Sequence, residues 1–171
     1  TTSISSSQNY VGNIFYRTGV VTITETGSFY GTYDSSAATH ETTSPAMTTE
    51  NNLPYGFFFK PDGTKYWMIG SSAVSPGEGV YEYSLSTAWD ASTATYTGGF
   101  LEGSTHTRDV SFKPDGSKVY TLEKGGFRGI IEYDLSTDWD ITTSTATNTF
   151  STDGEDNAPL GMYFREDGYK V

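Results

Sequence analysis

The sequence contains no cysteine, which excludes disulfides, Cys-ligated zinc, iron–sulfur clusters and a thiol nucleophile. It is also short of cations, with 10 Lys plus Arg against 21 Asp plus Glu and a formal net charge of -11. Neutralising phosphates requires a clustered surplus of Lys and Arg, so this balance argues against a nucleic-acid binder. It argues against electrostatic docking on an anionic membrane for the same reason. Hydrophobic residues make up only 35% of the chain. None of its apolar runs approaches the ~18 residues of a membrane-spanning helix. The chain opens Thr1-Thr2-Ser3, with neither an initiator Met nor a charged-then-apolar leader, and is expected to be a piece of something longer or a processed form.

Aromatic residues, by contrast, are plentiful: 13 Tyr, 10 Phe and 3 Trp, or 15% of the 171 residues. Disordered chains are poor in such residues, so this one is expected to fold. The 27 Thr, 20 Ser, 19 Gly and 6 Pro complete a vocabulary of strands and turns.

An internal repeat organises the sequence. Phe59-Lys60-Pro61-Asp62-Gly63-Thr64-Lys65 returns as Phe112-Lys113-Pro114-Asp115-Gly116-Ser117-Lys118, with six of seven residues identical. A looser third copy runs from Phe164 to Lys170. A second marker keeps step: Tyr81-Glu82-Tyr83-Ser84-Leu85-Ser86-Thr87-Ala88-Trp89-Asp90 returns as Ile131-Glu132-Tyr133-Asp134-Leu135-Ser136-Thr137-Asp138-Trp139-Asp140. Two independent markers sharing one period are hard to obtain by chance.

Each period reads as four short strands. Residues 54–60 and 108–113 are apolar and aromatic and end at Pro-Asp-Gly, where Pro presets the first turn position and Gly accepts the left-handed one. Residues 65–70 and 118–122 follow as second strands, and residues 79–85 and 129–135 alternate as third strands. Residues 93–100 and 143–150, rich in Thr, suit exposed fourth strands. Four strands in about 50 residues, repeated, is the pattern of β-propeller blades. The competing β-solenoid usually has shorter rungs, so the propeller is favoured.

The pattern F-K-P-D-G-[TS]-K-x-Y followed by [YI]-E-Y-x-L-S-T-x-W-D resembles the propeller repeat in structural proteins of marine tailed bacteriophages, cyanophages above all. It is also similar to the wider F-S-P-D-G propeller repeat of secreted and cell-surface proteins. The resemblance covers residues 54–171. It implies blades over about 54–101 and 105–150, with a third beginning at about 158. Propellers close with about four to eight blades, and open sheet edges invite aggregation. Either the polypeptide continues or several chains share one ring; continuation is expected.

Residues 1–50 differ. The first nine are Ser/Thr-rich and read as a linker or an ordered arm. Residues 10–26 read as a β-hairpin hinged near Thr18-Gly19. V-G-N-I-F-Y-x-x-G-x-V-x-I-T is similar to a short hairpin of tailed-phage virion proteins, which implies packing against neighbouring subunits. Residues 34–52 read as a polar connector, so the domains are expected at 1–50 and 51–171.

Candidate chemistry is sparse. His40 and His106 are isolated, and there is no HExxH spacing, GxSxG elbow, P-loop or dinucleotide fingerprint. A glycosidase needs two carboxylates at a fixed separation. Glu102, Asp109, Glu123, Glu155 and Asp156 are candidates, but their spacing does not pair them. Asp153, Glu155 and Asp156 lie in one acidic loop that offers oxygen ligands for Ca²⁺. It lacks the EF-hand pattern, and a solvated loop is the favoured reading. Asp62 and Asp115 are expected to cap their own turns, paired with Lys60 and Lys113. Trp89 and Trp139 hold equivalent positions, which favours packing between blades over stacking on a sugar. Trp67 is expected in the core.

The expected architecture is therefore all-β: a hairpin and arm, a connector, then about two four-stranded propeller-type blades and the start of a third. The resemblance implies a non-enzymatic virion component of tail fibre, baseplate or capsid surface, free of cofactors and assembled with other virion proteins or with itself. Its loops would face host-surface glycans. The alternatives are a carbohydrate-binding propeller on a bacterial cell surface and a propeller hydrolase or lactonase.

Overall fold

The computed structural model describes residues 2–6, 9–15, 20–22, 53–71, 77–103 and 106–164. The chain divides into two compact units, Thr1–Glu41 and Thr42–Val171. In the first, strands β1 (Thr2–Ser6), β2 (Asn9–Phe15) and β3 (Val20–Thr22) form a three-stranded antiparallel sheet, sheet A. β2 and β3 make the expected hairpin, with Asn13 opposite Thr22 and Phe15 opposite Val20. β1 pairs with β2 on the other side, so the first residues are an ordered arm. The Thr18-Gly19 hinge and the connector at 34–52 lie outside the described residues.

The second unit holds two four-stranded antiparallel sheets, each with its strands paired in chain order. Sheet B comprises β4 (Leu53–Phe59), β5 (Lys65–Ser71), β6 (Gly79–Leu85) and β7 (Ala94–Glu102). Sheet C repeats it with β8 (Thr107–Phe112), β9 (Lys118–Glu123), β10 (Gly129–Leu135) and β11 (Ser144–Ser151). All eight strands fall on the segments expected from the repeat, within one or two residues. A single turn of 3-10 helix precedes β7 and β11, at Ala91–Thr93 and Ile141–Thr143. Each is capped by an aspartate, Asp90 accepting from the Ser92 N–H at 2.9 Å and Asp140 from the Thr142 N–H at 3.0 Å. These caps start the fourth strands one residue later than the Thr-rich pattern suggests. The described residues are thus all-β with almost no helix, and they form no closed barrel or ring.

The core lies between the two sheets. Trp67, Ile69, Val80 and Leu101 of sheet B pack against Val110, Phe112, Val119 and Leu135 of sheet C. The other face of sheet B carries a separate aromatic cluster of Tyr66, Tyr81 and Tyr83, flanked by Phe59, Met68 and Phe100. Apolar residues on both faces explain why β6 reads as an almost unbroken buried run.

The two sheets stack front to back. In the repeat, Trp67 corresponds to Tyr120, Val80 to Ile130 and Glu82 to Glu132. The sheet B members of these pairs face sheet C. The sheet C members lie on the opposite side of their own sheet, around a shallow groove of about 140 Å³. One face of sheet B therefore meets the opposite kind of face of sheet C, a heterologous contact with no two-fold symmetry.

Candidate functional site

The two sequence markers meet at one end of the strands of each sheet. Pro61 and Asp62 turn β4 into β5, and the Gly63 N–H closes the turn on the Lys60 carbonyl at 2.8 Å. Gly63 and Gly116 sit at φ 72° and 79°, the left-handed region where a Cβ is costly. Asp62 accepts from the Thr64 N–H at 3.0 Å and its hydroxyl at 2.6 Å, and Asp115 does the same for Ser117 at 3.0 and 2.7 Å. Both aspartates cap their turns as expected. The Lys60 ammonium, 2.6 Å away, and the Thr64 donors lower the Asp62 carboxyl from 3.8 to about 2. Lys113 depresses Asp115 in the same way.

Trp89 and Trp139 also occupy the left-handed region, at φ 67° and 64°. That conformation costs a residue with a Cβ roughly 1–2 kcal/mol. Local bonds hold it in place. The Trp89 N–H donates to the Gly63 carbonyl at 2.9 Å, and the Trp139 N–H to Gly116 at 3.0 Å. Each indole lies so close over its glycine that a Cβ there would overlap the ring. The two markers are thus halves of one lock, Pro-Asp-Gly supplying the bare backbone and Ser-Thr-x-Trp-Asp the indole that covers it.

The two tryptophans differ in what lies beyond the lock. Trp139 stacks on Phe112 at 5.4 Å and, across the sheets, on Trp67 at 5.8 Å. Its carbonyl accepts from Lys65 Nζ at 3.3 Å, and Lys60 Nζ stands 5.8 Å from its ring. Trp89 touches Phe59 of its own repeat, with ring centroids 5.4 Å apart, and stays 58% exposed. The fully buried Trp67 packs on Phe112 with ring centroids 4.1 Å apart.

Beside this stack lies a polar triad that sequence reasoning missed. Glu82, 4% exposed, accepts from Lys65 Nζ at 2.8 Å and from the Trp67 indole N–H at 3.1 Å. Cross-strand pairing sets it up, since Trp67 faces Glu82 and Lys65 faces Ser84. The signal was present in the markers, where one Lys and one Glu recur in step. In sheet C, Lys118 bonds Glu132 at 2.6 Å and also Asp134, which together raise its pKa above the usual lysine range, Asp134 most. A second inter-sheet link joins Arg108 to Glu78 at 3.3 Å, with the guanidinium 4.2 Å from the Tyr55 ring.

A cleft of about 460 Å³ opens where β4, β8 and the segment at 162–164 converge. Phe57 and Tyr163, 64% and 78% exposed, form aromatic lips, and Trp139, Phe112 and Lys113 line the interior. Asp109 stands at its edge, accepting from the Val110 N–H at 2.9 Å and the Met162 N–H at 2.8 Å.

The remaining candidates are dispersed. Glu123 is fully buried and accepts from the Thr107 hydroxyl at 2.9 and 3.2 Å. His106 is exposed, its carbonyl accepting from the Lys124 N–H at 2.9 Å. His40 lies outside the described residues. Glu102 is exposed at the end of β7. In the acidic loop Asp153 pairs with Arg128 at 3.2 Å, Asp156 accepts from the Ala158 N–H at 2.8 Å, and Glu155 is exposed. Among the described residues no three His, Asp or Glu come together as a metal-binding group.

Compared with family models, curated proteins and solved structures, the chain has no match in any of the three.

Proposed function

We propose that this chain is a non-enzymatic structural protein of a tailed-phage virion, in which sheets B and C are successive blades of a β-propeller. The front-to-back stacking of two equivalent four-stranded sheets carries the reading. Propeller blades repeat radially, each covering the next, and the Trp139–Trp67 contact follows that logic. The virion assignment is supported by the two repeat markers and the hairpin motif that resemble tailed-phage proteins. In this reading the three-stranded sheet A anchors the protein by docking or strand addition. The propeller loops face outward, toward host-surface glycans. Mass spectrometry of purified phage particles tests it: peptides from Leu53–Phe164 are expected in the particle, and their absence would overturn the proposal.

Trp89 favours a second reading. An exposed indole beside Phe59 offers the flat apolar face that stacks on a sugar ring, as a carbohydrate-binding cell-surface propeller would need. Glycan-array binding abolished by Trp89→Ala would promote it.

A further inference from the structure

Sheet C presents, on its outer side, a second edition of the surface that sheet B uses to hold sheet C. On sheet B that surface consists of Lys65, Trp67, Val80, Glu82 and Leu101, all but Lys65 buried beneath sheet C. The equivalent positions of sheet C are Lys118, Tyr120, Ile130, Glu132 and Phe150, the last pairing with Ile130 as Leu101 pairs with Val80. The Lys–Glu bond recurs at 2.8 and 2.6 Å. What differs is cover: Leu101 is 8% exposed and Phe150 59%.

The inner corner of this second surface is already filled as in the first. Phe112 packs on Trp67 with centroids 4.1 Å apart, and Phe164, its counterpart in the third copy, packs on Tyr120 at 4.5 Å. Gly56 and Gly161 are likewise equivalent, and both lie beside the Asp109 carboxylate, which a Cβ at either position would meet at 3.5 and 3.7 Å. A segment that repeats both contacts of an inner strand is placed as the inner strand of a further unit.

We propose that the outer face of sheet C is the seat of a third four-stranded unit of the same polypeptide, entered through Gly161–Phe164. Its occupant is defined by the first interface: a sheet whose own Ser-Thr-x-Trp-Asp turn lays an indole against Tyr120 and a backbone carbonyl on Lys118, as Trp139 does to Trp67 and Lys65. Continuity with the existing interface decides against a second copy. Sheet B of another chain would bring Phe59 to the place that Phe164 holds. The inference rests on the stacking half of the proposed function and is independent of the virion half.

The absence of cysteine from this sequence makes thiol protection a clean test. In the native polypeptide, Phe150→Cys and, as a milder substitution on the same face, Asn148→Cys are reacted with a maleimide, with the unsubstituted polypeptide as background. Leu101→Cys serves as the covered reference and Ser86→Cys as the exposed one. Covering by a third unit is expected to slow labelling of both test cysteines at least about tenfold relative to Ser86→Cys, at every protein concentration. Labelling as fast as Ser86→Cys would overturn the proposal. So would protection lost on dilution, which would assign the seat to a second copy. Neither result bears on the presence of the protein in phage particles.

Discussion

A tryptophan in the left-handed region is an expensive residue, and this chain uses two at equivalent positions. The strain is tolerated because the indole covers a glycine that must be bare and the amide answers that glycine's carbonyl. Energies should diverge beyond the lock. Trp139→Ala removes contacts to Trp67 and Phe112 in the core and is expected to cost about 3–5 kcal/mol in urea unfolding. Trp89→Ala, with more than half of its ring in water, should cost less than about 2 kcal/mol. Equal costs would mean that the second tryptophan is not shielded by the first sheet. Acid should act at the neighbouring turn. Asp62 has its pKa lowered from 3.8 to about 2, so its contribution is present above about pH 4 and disappears as pH falls toward 2. Because this carboxylate is exposed, the loss is small and salt-screened. Asp62→Asn should flatten the pH dependence of the unfolding midpoint in that window.

At the scale of the element, the strands and turns were legible because each carries its own chemistry. Pro-Asp-Gly sets the first turn, whereas the single 3-10 turns capped by Asp90 and Asp140 were not read from the sequence, because three residues are too few to carry a helical period. β1 was legible only as an arm, because Thr2–Ser6 contains a single apolar residue, Ile4, and no alternation. Which face of a sheet meets its neighbour was not legible. β5 and β6 are apolar on both sides, so a period of two selects neither face. The Lys–Glu pairs were in plain view within the markers, yet their value depends on burial. Glu82→Ala leaves the buried Trp67 indole N–H without its acceptor and Lys65 with only the Trp139 carbonyl, and should cost about 1–3 kcal/mol by urea unfolding. Glu132→Ala, at the more open pair, should cost less than about 1 kcal/mol. A larger loss at Glu132 would contradict the assignment of the buried face.

At the scale of the whole molecule, one geometric operation relates sheet B to sheet C, and it leaves equivalent residues in unequal surroundings. Trp89 and Trp139, and Glu82 and Glu132, are matched in sequence, and Leu101 and Phe150 by strand register; each pair differs in exposure because one member has a neighbouring sheet. That is why the sequence could place both tryptophans in the repeat but not tell which is shielded. The most direct measurement is a double-mutant cycle between Trp67 and Phe112, using Trp67→Leu, Phe112→Leu and the double variant in equilibrium unfolding. These rings belong to different repeats and meet only through the stacking of the sheets. A coupling energy of about 0.5–1.5 kcal/mol is expected for such a contact. Additive losses would mean that the two sheets do not stack, and the propeller reading would fall with them.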